Sequence, residues 1–202
     1  VKEWMMDLCA EMIKRDVKLK WICPSRVDTI DEEVLGQMKK AGCIQVGFGI
    51  ESGSPRVLRY YRKGTKIEQV VEAFAACKRV GIIPRANIMI GAPDETLEDV
   101  QATIDLIEQV RPGLIAVSVT TPIVGTDLFF DAREKGLLRK DSLSGYNRFF
   151  IGTMKREITD DQIEQAIKTI VKIYRRQILR TALNPVTLYQ RGYLFYHVAM
   201  HW

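Results

Sequence analysis

The chain has 202 residues, 47% of them hydrophobic, and a formal net charge of +5. That length supports one sizeable core, or one domain with an appendage. No solid basic run marks a nucleic-acid surface, no apolar run reaches membrane-spanning length, and no signal peptide is visible.

Val1, Met5, Leu8 and Met12 fall on one helical face, which predicts a helix to about Arg15. Position 1 is Val and already lies in that pattern, so the chain reads as a piece of something longer. Leu19 to Cys23 is a short apolar strand ending at Pro24-Ser25-Arg26, and Thr29-Ile30-Asp31-Glu32 reads as a capping box opening a helix to Lys40. Ile44 to Ile50 is a buried strand, followed by the loop Glu51-Ser52-Gly53-Ser54. Ser54-Pro55 opens a short helix to about Arg62, with Ser as N-cap and Pro at the first helical position. Thr65 to Glu68 reads as another capping box, and its helix ends at Gly81. Ile82 to Ile90 is the next strand, running into Gly91-Ala92-Pro93-Asp94-Glu95-Thr96. A helix follows with Leu97, Val100, Ile104 and Ile107 on its apolar face, then the strand Leu114 to Thr120, the loop Thr121 to Thr126 and a helix from about Asp127 to Lys135.

After Gly136 the register changes. Residues 139–158 read as loop with aromatic anchors at Tyr146, Phe149 and Phe150. Thr159 to Gln162 caps an amphipathic helix to about Ala182, whose Lys168–Arg180 basic excess is read as a solvated face. A last apolar-aromatic helix is expected from Val186, carrying His197 and His201 at i, i+4 without the Glu of a zinc-protease motif.

Four strands alternate with helices at roughly 25–40-residue intervals, the pattern of βα units around a parallel sheet. Each strand ends in a loop of Gly, Pro or polar residues, which favours a (β/α) barrel over a doubly wound sheet. No dinucleotide or P-loop signature follows any strand. Glu51, a carboxylate at a strand end among small residues, sits where such a fold keeps its site; the structural alternative is a tight turn with Glu51 solvated or capping a helix. Cys9, Cys23, Cys43 and Cys77 show no CxxC or CxxxC spacing. That argues against a disulfide framework and for a reducing, cytoplasmic setting in which each thiol is a small buried hydrophobe.

Three strand-end motifs stand in order: GFGIESGSPRVLRYYRKGT (Gly47 to Thr65), NIMIGAPDETLEDV (Asn87 to Val100) and TPIVGTDLF (Thr121 to Phe129). With the preceding WICPSRVDTIDEEVLGQMKKAGC (Trp21 to Cys43) they resemble the later part of a radical S-adenosylmethionine (SAM) domain. They are most similar to the enzymes with an upstream cobalamin-binding domain, which include the anaerobic magnesium-protoporphyrin monomethyl ester cyclase. The resemblance covers residues 1–138, taken as the later part of the barrel; residues 139–202 match loosely and are taken as a C-terminal extension.

The resemblance implies an α/β fold, a partial (β/α) TIM-like barrel with parallel strands, truncated at the N-terminus and followed by C-terminal helices. It implies SAM and a [4Fe–4S] cluster as cofactors, with cobalamin in the full-length parent. The implied chemistry is reductive SAM cleavage that serves oxidative cyclisation or methyl transfer, on a small-molecule substrate with a tetrapyrrole as the family's suggestion. A reducing electron donor is the implied partner. The family's cluster loop, CxxxCxxC, is absent from the chain, so this piece alone is expected to be inactive.

The same resemblance gives roles to individual residues. Glu51 accepts from the ribose hydroxyls or the α-ammonium of SAM. Arg26 pairs a carboxylate of SAM or substrate, or forms a salt bridge at the barrel mouth. Lys63 faces the SAM carboxylate, or serves as a helix C-terminal cation. Asn87 reaches the ligand from inside the barrel, Gly91 and Pro93 allow a close loop, Glu95 supports that loop, and Pro122 and Ile123 lie along adenine. Two other readings stay open: a non-radical barrel lyase, for which Lys63 is the only Schiff-base candidate, and a binding scaffold. The cut sheet edge also predicts dimerisation or aggregation.

Overall fold

A computed structural model describes residues 2–139 and 151–182. The aromatic anchors Tyr146, Phe149 and Phe150, the helix expected from Val186 and the His197–His201 pair lie outside those residues.

Four parallel strands lie side by side in chain order: β1 Trp21–Ser25, β2 Cys43–Glu51, β3 Ile83–Ile90 and β4 Leu114–Val119. Helix α1 (Lys2–Lys14) precedes them, and α2 (Glu32–Lys40), α3 (Pro55–Tyr60), α4 (Ile67–Val80), α5 (Leu97–Val110) and α6 (Asp127–Glu134) fill the connections. Helix α7 (Asp160–Ala182) follows. This is the (β/α) order of a partial TIM-like barrel.

The two faces of the sheet differ in chemistry. Val46, Phe48 and Ile50 of β2 and Ala86, Ile88 and Ile90 of β3 are fully buried, in one core with Leu35 and Met38 of α2, Phe74 and Cys77 of α4 and Ile107 of α5. Phe48 and Phe74 meet with ring centroids 5.4 Å apart. The alternate residues, Gly47, Gly49 and Glu51 on β2, Arg85, Asn87 and Met89 on β3 and Ala116 and Ser118 on β4, share the inner face. A barrel strand buried on both sides reads as a continuous apolar run; these strands do so on the helix side only.

Side-chain caps set the helix starts. Ser54 Oγ accepts from Val57 N, Thr126 Oγ1 from Phe129 N, and Thr159 Oγ1 from Gln162 N. Two starts differ from the sequence pattern. The cap of α2 is Asp31, which accepts from Val34 N at 2.9 Å, while Thr29 is spent in the short turn Val27–Thr29, donating to Arg26 O. The cap position of α4 is Lys66, whose N–H donates to Gln69 Oε1, and Thr65 is buried one residue earlier. Helix α7 joins the same core through Ile163 and Ile170, and its Tyr174 hydroxyl donates to Gly113 O at 3.1 Å.

Candidate functional site

Glu51 closes β2 in the left-handed region, with φ +56°, at a shift in register between Gly49 and Glu51. That backbone is uncommon for a residue with a side chain. It turns the carboxylate back over the sheet, where Lys63 Nζ donates to Glu51 Oε1 at 2.8 Å. Both side chains are about four-fifths buried, at 18% and 21% exposed. Lys63 is held by its own N–H, which donates to Leu58 O just after another left-handed residue, Arg62, two positions past the end of α3. A Cβ on Gly49 would overlap Glu51 Oε1 and come within 2.8 Å of Lys63 Nζ. The bare backbone of Gly49 is therefore the floor on which the ion pair rests.

The loop carrying Glu51 is fastened to α5. Ser52 Oγ and Thr103 Oγ1 are 3.0 Å apart, Gly53 N donates to Thr103 Oγ1 at 2.9 Å, and Ser54 Oγ donates to Asp99 Oδ1 at 2.5 Å. Arg56 pairs Asp99 Oδ2 and also donates to Asp94 O at 2.6 Å. Burial alone would raise the Asp99 carboxyl, but hydrogen bonds from Arg56, Ser54 and Thr96 outweigh it and hold the group down at about 2. Thr96 and Asp99 also form the capping box of α5, so one carboxylate starts a helix and ties two strand-end loops together.

The next loop is built from inside. Glu95 Oε2 accepts from the N–H groups of Gly91 and Ala92, and burial pushes Glu95 up to about 7. Arg156, with a side chain 1% exposed, donates to Gly91 O at 2.8 Å and Thr120 O at 2.9 Å. It thereby bridges the ends of β3 and β4, and burial lowers it to about 10. Tyr61 and Thr120 join hydroxyls at 2.5 Å on the same rim.

The sequence-predicted residues fall into two groups. Glu51 and Lys63 touch, and Arg26 reaches them only through Lys63 O at 3.4 Å, its guanidinium being engaged by Asp28 at 2.9 and 2.6 Å. Asn87 pairs in register with Gly49, on the inner face beneath the ion pair. Gly91 stands one strand over, and the side where a Cβ would sit is filled by Arg156 and Ile163. Pro122 is buried and Ile123 is half exposed in the loop after β4. Sequence reasoning missed Asp99, Thr103 and Arg156. The TxxD of the α5 cap marked Asp99, but its reach across to Ser54 and Arg56 is a tertiary fact.

Metal ligation is different. Cys9, Cys43 and Cys77 are buried in the core, and no group of three His, Cys, Asp or Glu side chains among the described residues can hold a metal ion. The described thiols do not fit a [4Fe–4S] cluster, which is held by closely grouped cysteine thiolates. No described helix is long and apolar enough to cross a membrane.

Comparison with known proteins agrees with this geometry. A family model described as the radical SAM superfamily matches residues 2–107. An uncharacterised methyltransferase of Pyrococcus horikoshii is 31% identical over 176 residues, covering 87% of this chain and 38% of its own length. The anaerobic magnesium-protoporphyrin IX monomethyl ester cyclase of Rubrivivax gelatinosus is 30% identical over 171 residues, 72% of this chain and 31% of the cyclase. Among solved structures, the radical SAM methyltransferase TsrM of Kitasatospora setae, with tryptophan and a SAM analogue bound, superimposes with a TM-score of 0.67 at 15% identity, over 83% of this chain and 40% of that one. The same enzyme with cobalamin and a [4Fe–4S] cluster gives 0.60 at 19% identity, over 80% and 34%. The chain spans about a third of the length of the curated relatives it matches. The family uses SAM and a [4Fe–4S] cluster. With a family model over half its length and a close relative along most of it, the chain belongs to the radical SAM superfamily.

Proposed function

We propose that this chain is the SAM- and substrate-binding part of a radical SAM enzyme that carries out methyl transfer or oxidative cyclisation on a small organic molecule. The observation that carries the reading is the Glu51–Lys63 pair at the end of β2, 2.8 Å apart and resting on Gly49. The methionyl end of SAM is a zwitterion. Its carboxylate complements the Lys63 ammonium, and its ammonium, or the ribose hydroxyls, complements the Glu51 carboxylate. Exchanging an internal ion pair for a ligand of the opposite polarity leaves no charge buried alone. Pro122 and Ile123 supply an apolar edge for the adenine.

The family's cluster supplies the electron that cleaves SAM when it is bound. The described cysteines are not grouped to hold it, so the chain alone is expected to bind SAM without cleaving it. Similarity to the magnesium-protoporphyrin ester cyclase supports a tetrapyrrole substrate; in this reading cobalamin and the electron donor belong to the longer protein. The free thiols, three of them buried and Cys23 half-buried, suit a reducing cytoplasm. A Schiff-base lyase would keep Lys63 as a neutral amine in apolar surroundings, and its pairing with Glu51 opposes that reading.

The test is titration of the chain with SAM, followed by calorimetry or ligand-observed NMR. Saturable binding that weakens about tenfold or more in both Glu51→Gln and Lys63→Ala is the expected result. SAM binding unchanged in both variants, with the fold intact by circular dichroism, would sink the assignment.

A further inference from the structure

Arg85 is out of place for a barrel strand. Its neighbours in β3 alternate correctly, with Pro84, Ala86, Ile88 and Ile90 buried against the helices. Arg85 lies on the inner face, in register with Gly47 of β2 and Leu114 of β4. It is half-buried, and its Nε is fully enclosed without a hydrogen-bond partner. Among the described residues no carboxylate pairs with it. Elsewhere the arginines near the rim carry counter-ions: Arg26 has Asp28, Arg56 has Asp99, and Arg62 has Asp127. An enclosed donor left unmade costs stability, and the two Nη groups, which are neither enclosed nor paired among the described residues, are the part open to a ligand.

A second donor converges on the same spot. A Cβ at Gly47 would lie 3.6 Å from Asn87 Nδ2 and 3.9 Å from Arg85 Cδ. Both side chains therefore lean across the sheet over the bare backbone of Gly47. Gly49, two residues further along, carries the Glu51–Lys63 pair in the same way. The inner face thus has two levels, about 7 Å apart by strand rise. The upper one has both charges, and the lower one has a cation, an amide and no carboxylate among the described residues.

We infer that Arg85 and Asn87, over Gly47, form the binding site for a carboxylate of the substrate. The planar guanidinium accommodates a carboxylate through two parallel N–H bonds, and the Asn87 amide adds a third donor. The substrate class is an acid-bearing small molecule whose carboxylate is seated below SAM, with its reacting part reaching up toward the strand ends. This assignment rests on the reading of Glu51 and Lys63 as the SAM site, because that reading gives the SAM carboxylate a different cation.

The experiment follows the Arg Nε–H and Asn Nδ2 NMR signals of the isotope-labelled chain. Succinate is the carboxylate probe, succinamide its neutral counterpart, and SAM a separate arm. Succinate is expected to shift Arg85 and Asn87 saturably while exposed Arg62 stays put; succinamide is expected to move neither. Arg85→Gln should weaken succinate binding about tenfold, and Arg85→Lys, which keeps the charge without the fork, should fall in between. SAM should leave Arg85 where it is.

The inference is overturned if Arg85 and Arg62 drift together without saturation, or if SAM alone produces the Arg85 shift. Succinate binding without SAM binding would sink the SAM reading alone. SAM binding without a succinate response at Arg85 would sink the carboxylate site alone.

Discussion

Lys63 Nζ lies 2.8 Å from Glu51 Oε1, and the contact passes over a residue with no side chain, Gly49. The pair joins the end of β2 to the segment after α3, twelve residues later in the chain. Its geometry depends on two backbone choices that cost something locally: the left-handed Glu51 and the left-handed Arg62. Non-glycine residues hold such angles when the surroundings determine them, and they gather at functional sites.

Gly49→Ala tests this relationship. The added methyl would overlap Glu51 Oε1 and press on Lys63 Nζ, both flexible side-chain ends. The strand can therefore stay in register while the pair is pushed off its floor. We expect SAM affinity to fall about tenfold, or about 1.4 kcal/mol, with a change in unfolding free energy under about 1 kcal/mol. Calorimetric titration beside a urea melt separates the two. A large stability loss with unaltered affinity would show that the pair is structural.

The order of elements was legible because hydrophobic period, helix caps and glycine stops agree along most of the chain. Ser54-Pro55 and Gly81 act as their sequence positions indicate. Thr29 and Thr65 misled because a Thr two or three residues before an acid satisfies the capping pattern wherever the true cap falls, and Asp31 and Lys66 took those positions. Of the site, Glu51 was legible as a carboxylate at a strand end among small residues, and Lys63 as a cation beside Gly64 after a short helix. Asp99, Thr103 and Arg156 were not, since their partners lie tens of residues away and nothing local marks the distance. Arg85 was hidden for another reason: one cation in an otherwise apolar strand reads as an edge residue until the register shows which face it occupies.

Glu95 predicts an unusual pH dependence. Its carboxyl is pushed up to about 7, chiefly by burial and further by nearby Asp99, against the hydrogen bonds from Gly91 and Ala92 and the charge of Arg56. Arg156 and Tyr61 also face it. The folded state therefore holds a proton that the unfolded chain releases near its ordinary value of 4.5. Stability from this group is highest below about pH 4.5 and declines as pH rises toward 7, by about 3 kcal/mol in all. Glu95→Gln keeps an acceptor for the two N–H groups and removes the titration. Urea melts at pH 5 and pH 8 should show the wild type losing more stability than the variant over that interval; parallel losses would refute the assignment.

Asp99 has the opposite sign. Held down at about 2, it contributes stability that is fully present above its unfolded value near 4 and is lost as pH falls toward 2. Asp99→Ala removes the acceptor for Ser54, Thr96 and Arg56 together. Because Arg56 is half exposed and can turn to water, the loss is expected at about 2–3 kcal/mol rather than that of a fully buried pair. The measurement is a denaturant melt at pH 7, where Asp99→Asn should recover part of the loss.

Arg156 gives the largest expected effect. Its guanidinium lies within the barrel rim and binds carbonyls from three segments: Gly91, Thr120 and Met154. Lysine has the charge but one donor centre, and cannot face three carbonyls arranged around a planar fork. Arg156→Lys is expected to cost about 2–3 kcal/mol, and Arg156→Ala more than about 3 kcal/mol, because buried carbonyls lose their donor. The two losses should be accompanied by faster amide exchange at Ala92 and Thr121, next to the released carbonyls. A melt that shows Arg156→Ala within about 0.5 kcal/mol of wild type would mean that α7 and the strand ends hold together without the bridge.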